Sequence, residues 1–202
     1  MMIPLLFLVA MLVGYLLGSA NSSLIVSRCL GVDVRRQGSG NAGATNSLRV
    51  LGKRAAVIAS IGDVAKGMLA YCVGSLLLRS HPQSADLGGL AAGCAAVVGH
   101  NWPIYFGFQG GKGIWTSFAV VSSFDWRIGV SLVLLFAALI LLFRRVSLGA
   151  VGRAICLPWF PLWFGDHWTV TLVFVGLALL AVYRHRTNIK RLLGGQEPKI
   201  GE

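Results

Sequence analysis

Three stretches of this 202-residue chain combine glycine with hydrogen-bond donors and cations. The first, GSGNAGATNSLRVLGKR, runs from Gly38 to Arg54. Its glycines let backbone N–H groups turn toward an anion without obstruction from side chains. Ser39, Asn41, Thr45 and Asn46 add donors, and Arg49, Lys53 and Arg54 add positive charge. A helix starting within the stretch would contribute the positive end of its dipole. The composition suits a phosphate cradle; taken alone, it suits an ordinary flexible loop equally well.

The second stretch, GHNWPIYFGFQGGKGIWTSF, spans Gly99 to Phe118. A nucleotide P-loop requires glycine where Phe106 stands and Ser or Thr where Gly113 stands. ATP or GTP binding is therefore unsupported. Lys112, between Gly111 and Gly113, is still a mobile point charge suited to phosphate. His100 and Asn101 read as structural or supporting residues. In the third stretch, RHRTNIKRLLGGQEPKI from Arg184, His185 and Asn188 share a face if the preceding helix continues. His185 could act as a base, donate to phosphate, or simply mark the membrane interface. Arg186, Lys190 and Arg191 suit headgroup contacts. Asp63 and Lys66 form an acid–base pair at i,i+3 within an apolar run, where charges are costly and turn toward protein. Structural support beneath a site suits this pair better than direct catalysis.

These residues must be carried by membrane helices. Only 12% of the chain is charged and 55% is hydrophobic. Soluble domains carry about 25% charged residues. Mean hydropathy is +0.72, and a span needs roughly 20 apolar residues. Seven apolar segments are expected, over 3–27, 55–78, 86–99, 113–124, 128–143, 148–164 and 168–183. The expected fold is an all-α polytopic bundle, with residues 1–202 forming one integral-membrane domain. The N-terminal run lacks a basic leader and reads as an uncleaved first helix.

Cations fix the expected orientation. Arg28 to Arg54, Lys112, Arg144, Arg145, Arg153 and the Arg184–Lys199 cluster fall on one side, against Arg79 and Arg127 on the other. The positive-inside rule then places the N-terminus outside and the C-terminus in the cytoplasm. The same rule, with attraction to anionic membrane lipids, explains the +11 net charge without nucleic acid. Trp102, Trp126, Trp163 and Trp168 fall near span ends, where their rings suit the headgroup level. Cys29, Cys72, Cys94 and Cys156 lack ligand spacing and read as small apolar fillers. The four histidines have no metal spacing either. All three polar stretches are expected at the cytoplasmic face, where a polar anion can meet a lipid-soluble molecule.

GSGNAGATN-x2-R-x2-GK, GHNWPIYFGFQGGKG and RHRTNIKRLLGGQE, in this order, resemble the three signatures of the bacterial acyl-phosphate:glycerol-3-phosphate acyltransferase family. The resemblance covers nearly the whole chain. It departs at Gln109, where the family often has Lys, and at Trp115, which is bulkier than usual. The His-x4-Asp pattern of soluble and monotopic acyltransferases is absent, since Tyr105 occupies the acid position.

The resemblance implies transfer of a fatty acyl group from acyl phosphate to glycerol 3-phosphate, giving lysophosphatidic acid and phosphate, the first acylation of phospholipid synthesis. It implies Ser39, Arg49, Lys112 and His185 as catalytic residues. Asn41, Thr45, Asn46, Gly111, Gly113, Asn188 and Glu197 are implied as substrate contacts. Acyl phosphate is a mixed anhydride with a good leaving group, so no metal or cofactor is expected. Implied partners are the two substrates, membrane lipids and the soluble enzyme that makes acyl phosphate; the implied location is the bacterial cytoplasmic membrane. The competing reading is a transporter or channel for a small phosphorylated anion. Such proteins often show internal repeats and midplane polar sites, whereas here the donors cluster at one expected face and no repeat is evident.

Overall fold

The computed structural model describes residues 2–200 and is all-helical among them. Each expected apolar segment is helical, and two of them are broken. By contact the chain divides into two compact units, Met1–Phe124 and Asp125–Glu202.

The first unit contains α1 (Met2–Ser19), α2 (Ser22–Cys29), α3 (Ala44–Leu51), α4 (Lys53–Leu77), α5 (Pro82–Asn101) and α6 (Ile114–Phe124). Short 3-10 turns at Val34–Arg36 and Ile104–Phe106 lie in its loops. Helices α1, α4 and α5 meet through glycine. A Cβ on Gly14 or Gly18 of α1 would strike the backbone of Ala92 or Ala96 in α5, and one on Gly74 of α4 would strike the Gly88 carbonyl. Small residues allow this backbone approach where lipid supplies no hydrophobic drive for helices to associate.

The first apolar segment breaks at Ala20–Asn21. Asn21 takes an extended conformation and caps α2, its Oδ1 accepting from Leu24 N at 3.0 Å. Asn is among the strongest N-cap residues. The break leaves the Ala20 carbonyl outside the helical ladder and needing another partner.

The second unit contains α7 (Trp126–Phe143), α8 (Val146–Cys156), α9 (Trp159–Phe164), α10 (Trp168–Arg184) and α11 (Arg186–Leu193). Asp125 caps α7 by accepting from Arg127 N at 2.8 Å. Gly149 and Gly152 of α8 pack against Phe136 and Leu139 of α7. Helices α10 and α11 meet at an angle of 63°. The third polar stretch thus does not continue α10, as the shared-face reading required. At the bend, the His185 ring and backbone N–H both engage the Ala181 carbonyl, at 2.8 and 3.0 Å. A side chain inserted into the helical ladder is a recognised cause of a kink.

Three helical stretches, Met2–Cys29, Lys53–Leu77 and Trp126–Phe143, have the length and hydropathy to cross a membrane; the bent pair α10–α11 would make a fourth. Helices Ile114–Phe124 and Val146–Cys156 are apolar but shorter. Leu141 and Leu142 are 81% and 74% exposed, and Leu5, Leu8, Leu12 and Ile61 are also exposed. Such outward apolar faces suit lipid contact rather than water.

Candidate active site

The first unit brings its two glycine-rich loops together. Gly111 sits so close to the first loop that a Cβ on it would collide with the Ala42 carbonyl oxygen and with His100 Nε2. Gly111 N donates to His100 O at 3.1 Å and Gly110 N to Asn101 O at 3.3 Å, folding the second loop back over the end of α5. Gly113 has φ +73°, which favours glycine, and α6 begins at the next residue. Lys112 lies between these anchored glycines, half-buried.

Asn46 shapes the first loop from inside. It is fully buried; its Oδ1 accepts from Ser39 N at 2.9 Å, and its Nδ2 donates to the carbonyls of Val34 and Gln37 at 2.8 and 3.1 Å. These bonds engage its amide with backbone, so its visible part is to hold the loop's shape. Ser39, Thr45 and Arg49 are exposed and Asn41 is half-buried. Thr45 and Arg49, four apart on α3, share its outer face.

A second tie crosses between the loops at Arg35. Its guanidinium pairs with Asp33 at 2.9 Å and donates through Nη1 to the Phe106 carbonyl at 3.1 Å. The Arg28 guanidinium lies over the Phe106 ring, 4.5 Å from its centroid. The hydrogen bond from Arg35 holds the Asp33 carboxyl down at about 2.

Beneath both loops lies a buried polar cluster. Lys66 Nζ contacts Asp63 Oδ1 at 2.9 Å, His100 Nδ1 at 3.0 Å and the Ala20 carbonyl at 3.2 Å. An ammonium has three donors and no lone pair. The Ala20 carbonyl accepts from it, Asp63 pairs with it, and His100 Nδ1 also lies 3.4 Å from Asp63 Oδ1, so the three side chains form one cluster. His100 Nε2, on the far side of the ring, faces Gly111. The expected Asp63–Lys66 pair is present, and His100 joins it as a third member.

In the second unit, His185, Asn188 and Glu197 are all buried. The contact from His185 Nδ1 to the Ala181 carbonyl makes Nδ1 the donor. Asn188 Nδ2 donates to Glu197 Oε1 at 2.6 Å, and Arg191 Nε donates to Oε2 at 2.7 Å. Burial pushes the Glu197 carboxyl up, but hydrogen bonds from Arg191 and Asn188 outweigh it and hold the group below the usual glutamate range.

Sequence reasoning did not single out Asn21, Asp33 or the contacts of Arg35. Asn21 had a readable cue: Asn-Ser-Ser interrupts an apolar run, the composition of a helix start. The reach of Arg35 to Phe106, across 71 positions, had none.

Comparisons with known proteins agree with this architecture. The family profile described as Glycerol-3-phosphate acyltransferase matches residues 8–195. A glycerol-3-phosphate acyltransferase of Methylococcus capsulatus is 42% identical over 189 residues, covering 93% of this chain and 92% of that protein. One from Clostridioides difficile is 40% identical over 197 residues, covering 97% and 96%. A crystal structure of PlsY (YgiH), an integral membrane glycerol 3-phosphate acyltransferase in its glycerol 3-phosphate form, aligns with a TM-score of 0.89 at 34% identity, over 96% of both chains. The lysophosphatidic acid form aligns with a TM-score of 0.87 at 33% identity, over 96% of this chain and 95% of that one. Profile, sequence and fold agree over nearly the whole length: this chain belongs to the glycerol-3-phosphate acyltransferase family.

Proposed function

We propose that the chain transfers a fatty acyl group from acyl phosphate to glycerol 3-phosphate, releasing lysophosphatidate and inorganic phosphate. The observation that carries this reading is the packing of Gly111 against the Ala42 carbonyl in a chain of this family. It makes the two glycine-rich, donor-bearing loops neighbours.

In this mechanism a glycerol 3-phosphate hydroxyl oxygen attacks the acyl carbonyl carbon. The new ester C–O bond forms as the bond from acyl carbon to phosphate oxygen breaks, and the electron pair leaves with phosphate. Lys112 and Arg49 neutralise phosphate charge, while Ser39, Asn41, Thr45 and the N–H groups around Gly111 and Gly113 orient the anions. Asn46 keeps the first loop in shape. His185 and Asn188 hold the acceptor, with Glu197 fixing the Asn188 amide. The hydroxyl proton passes either to a substrate phosphate oxygen, whose second pKa is about 6, or to His185 Nε2. The donor already carries a good leaving group, so the remaining work is alignment and charge stabilisation.

The membrane reading within the proposal is seven spans, with the N-terminus outside, the C-terminus in the cytoplasm and residues 1–202 acting as one domain. The reacting groups face the cytoplasm in the cytoplasmic membrane, where a soluble enzyme can deliver acyl phosphate. Purified protein in detergent, given acyl phosphate and labelled glycerol 3-phosphate, should form labelled lysophosphatidate. Uptake of label into sealed vesicles without product would favour transport instead.

A further inference from the structure

Two buried side chains, Asn21 and Lys66, hold the loops of the first unit. Asn21 is fully buried and its amide reaches three segments. Oδ1 caps α2 through Leu24 N, while Nδ2 donates to Ala42 O at 3.3 Å and His100 O at 3.4 Å. One NH2 group therefore spans the carbonyl of the first loop that touches Gly111 and the carbonyl of α5 that accepts from Gly111 N. One residue earlier, the Ala20 carbonyl accepts from Lys66 Nζ, and the same ammonium grips the His100 ring. Asn21 thus fixes the backbone of His100 and Lys66 fixes its side chain, both anchored at the α1–α2 break.

We propose that Asn21 and Lys66 are positioning residues for acyl transfer, setting the spacing between the Ser39–Asn46 loop and the Gly110–Gly113 loop through His100 and Ala42. This inference rests on the proposed acyltransferase reading. Neither residue needs to touch substrate. Their buried hydrogen bonds have no water to fall back on, so losing one leaves backbone carbonyls unpaired and the loops free to shift. A displacement of about 1 Å at a reacting centre can reduce rate by roughly 100-fold.

The test separates capping from clamping. Asn21→Ser keeps an N-cap hydroxyl for α2 but is too short to reach both Ala42 and His100. Lys66→Met keeps the stem and removes the ammonium with its contacts to Ala20, Asp63 and His100. Both variants are compared with wild type in detergent, reading kcat and KM for glycerol 3-phosphate and the melting temperature. The expected result for each is a kcat/KM lower by roughly 10- to 100-fold, with part of the loss in KM, and a melting transition retained near that of wild type for Asn21→Ser. An unchanged KM, with activity lost only in proportion to folded protein, would overturn the proposal. So would wild-type kinetics in Asn21→Ser, or loss of the melting transition in both variants. An inactive wild type would instead defeat the acyltransferase reading itself.

Discussion

Gly111 and Ala42, 69 positions apart, approach so closely that the space for a side chain on Gly111 is already occupied by the Ala42 carbonyl. The second loop can pass over the first only as bare backbone. Gly111→Ala should therefore displace one loop from the other. Because both neighbouring groups belong to buried, tethered segments, neither can yield cheaply. Acyl transfer should fall at least 100-fold, in line with about 1 Å of misplacement, while the protein still inserts and purifies as a folded species on size exclusion.

Lys112→Ala and Arg49→Ala should each remove most activity. Arg49 is exposed on the outer face of α3, so its loss removes charge rather than packing. Melting of Arg49→Ala should stay within about 0.5 kcal/mol of wild type, as expected for surface substitutions. Near-normal turnover in either variant would take that residue out of the phosphate-binding role.

Asn46→Ala should behave differently. It strips three hydrogen bonds from the 34–39 backbone, one of them from the carbonyl of buried Val34. A cost of roughly 1–3 kcal/mol is expected, visible as a lower melting temperature accompanying the loss of activity. A variant that melts like wild type would show that the loop keeps its shape without this bracket.

Two carboxylates predict how stability responds to acid. Asp33 is held at about 2 by its hydrogen bond from Arg35, and Glu197 is held below its usual range by Arg191 and Asn188 against the opposing effect of burial. A depressed folded-state value means the contribution is fully present above the unfolded carboxylate range, near pH 4. It is lost as pH falls through the lower folded value. Melting temperature should therefore fall as pH drops from about 5 toward 2. In Glu197→Gln that fall should be shallower from a lower starting point; an unchanged slope in both Glu197→Gln and Asp33→Asn would contradict the assignment.

The sequence made some of this architecture readable and concealed the rest for physical reasons. Apolar runs marked the long helices because hydropathy is a local property, but not α3 or α11, which lie within the polar stretches. The Asp63–Lys66 pair was readable because i,i+3 spacing on a helix brings such side chains together. The roles of Asn21 and His100 depend on backbone carbonyls brought together by the fold, and a carbonyl has no letter in a sequence. The bend at His185 was missed because its cause is a ring bonding to Ala181 within a run that otherwise favours helix. Asn46 carried the right chemistry for a phosphate contact, yet its buried amide serves Val34, Gln37 and Ser39.

The most direct measurement is acyl transfer by the purified protein in detergent, with acyl phosphate, acyl-CoA and acyl carrier protein offered in parallel as donors to labelled glycerol 3-phosphate. The account predicts labelled lysophosphatidate and stoichiometric inorganic phosphate from acyl phosphate alone, with no metal added. Product formed from a thioester donor but not from acyl phosphate, or no product from well-folded protein, would contradict it.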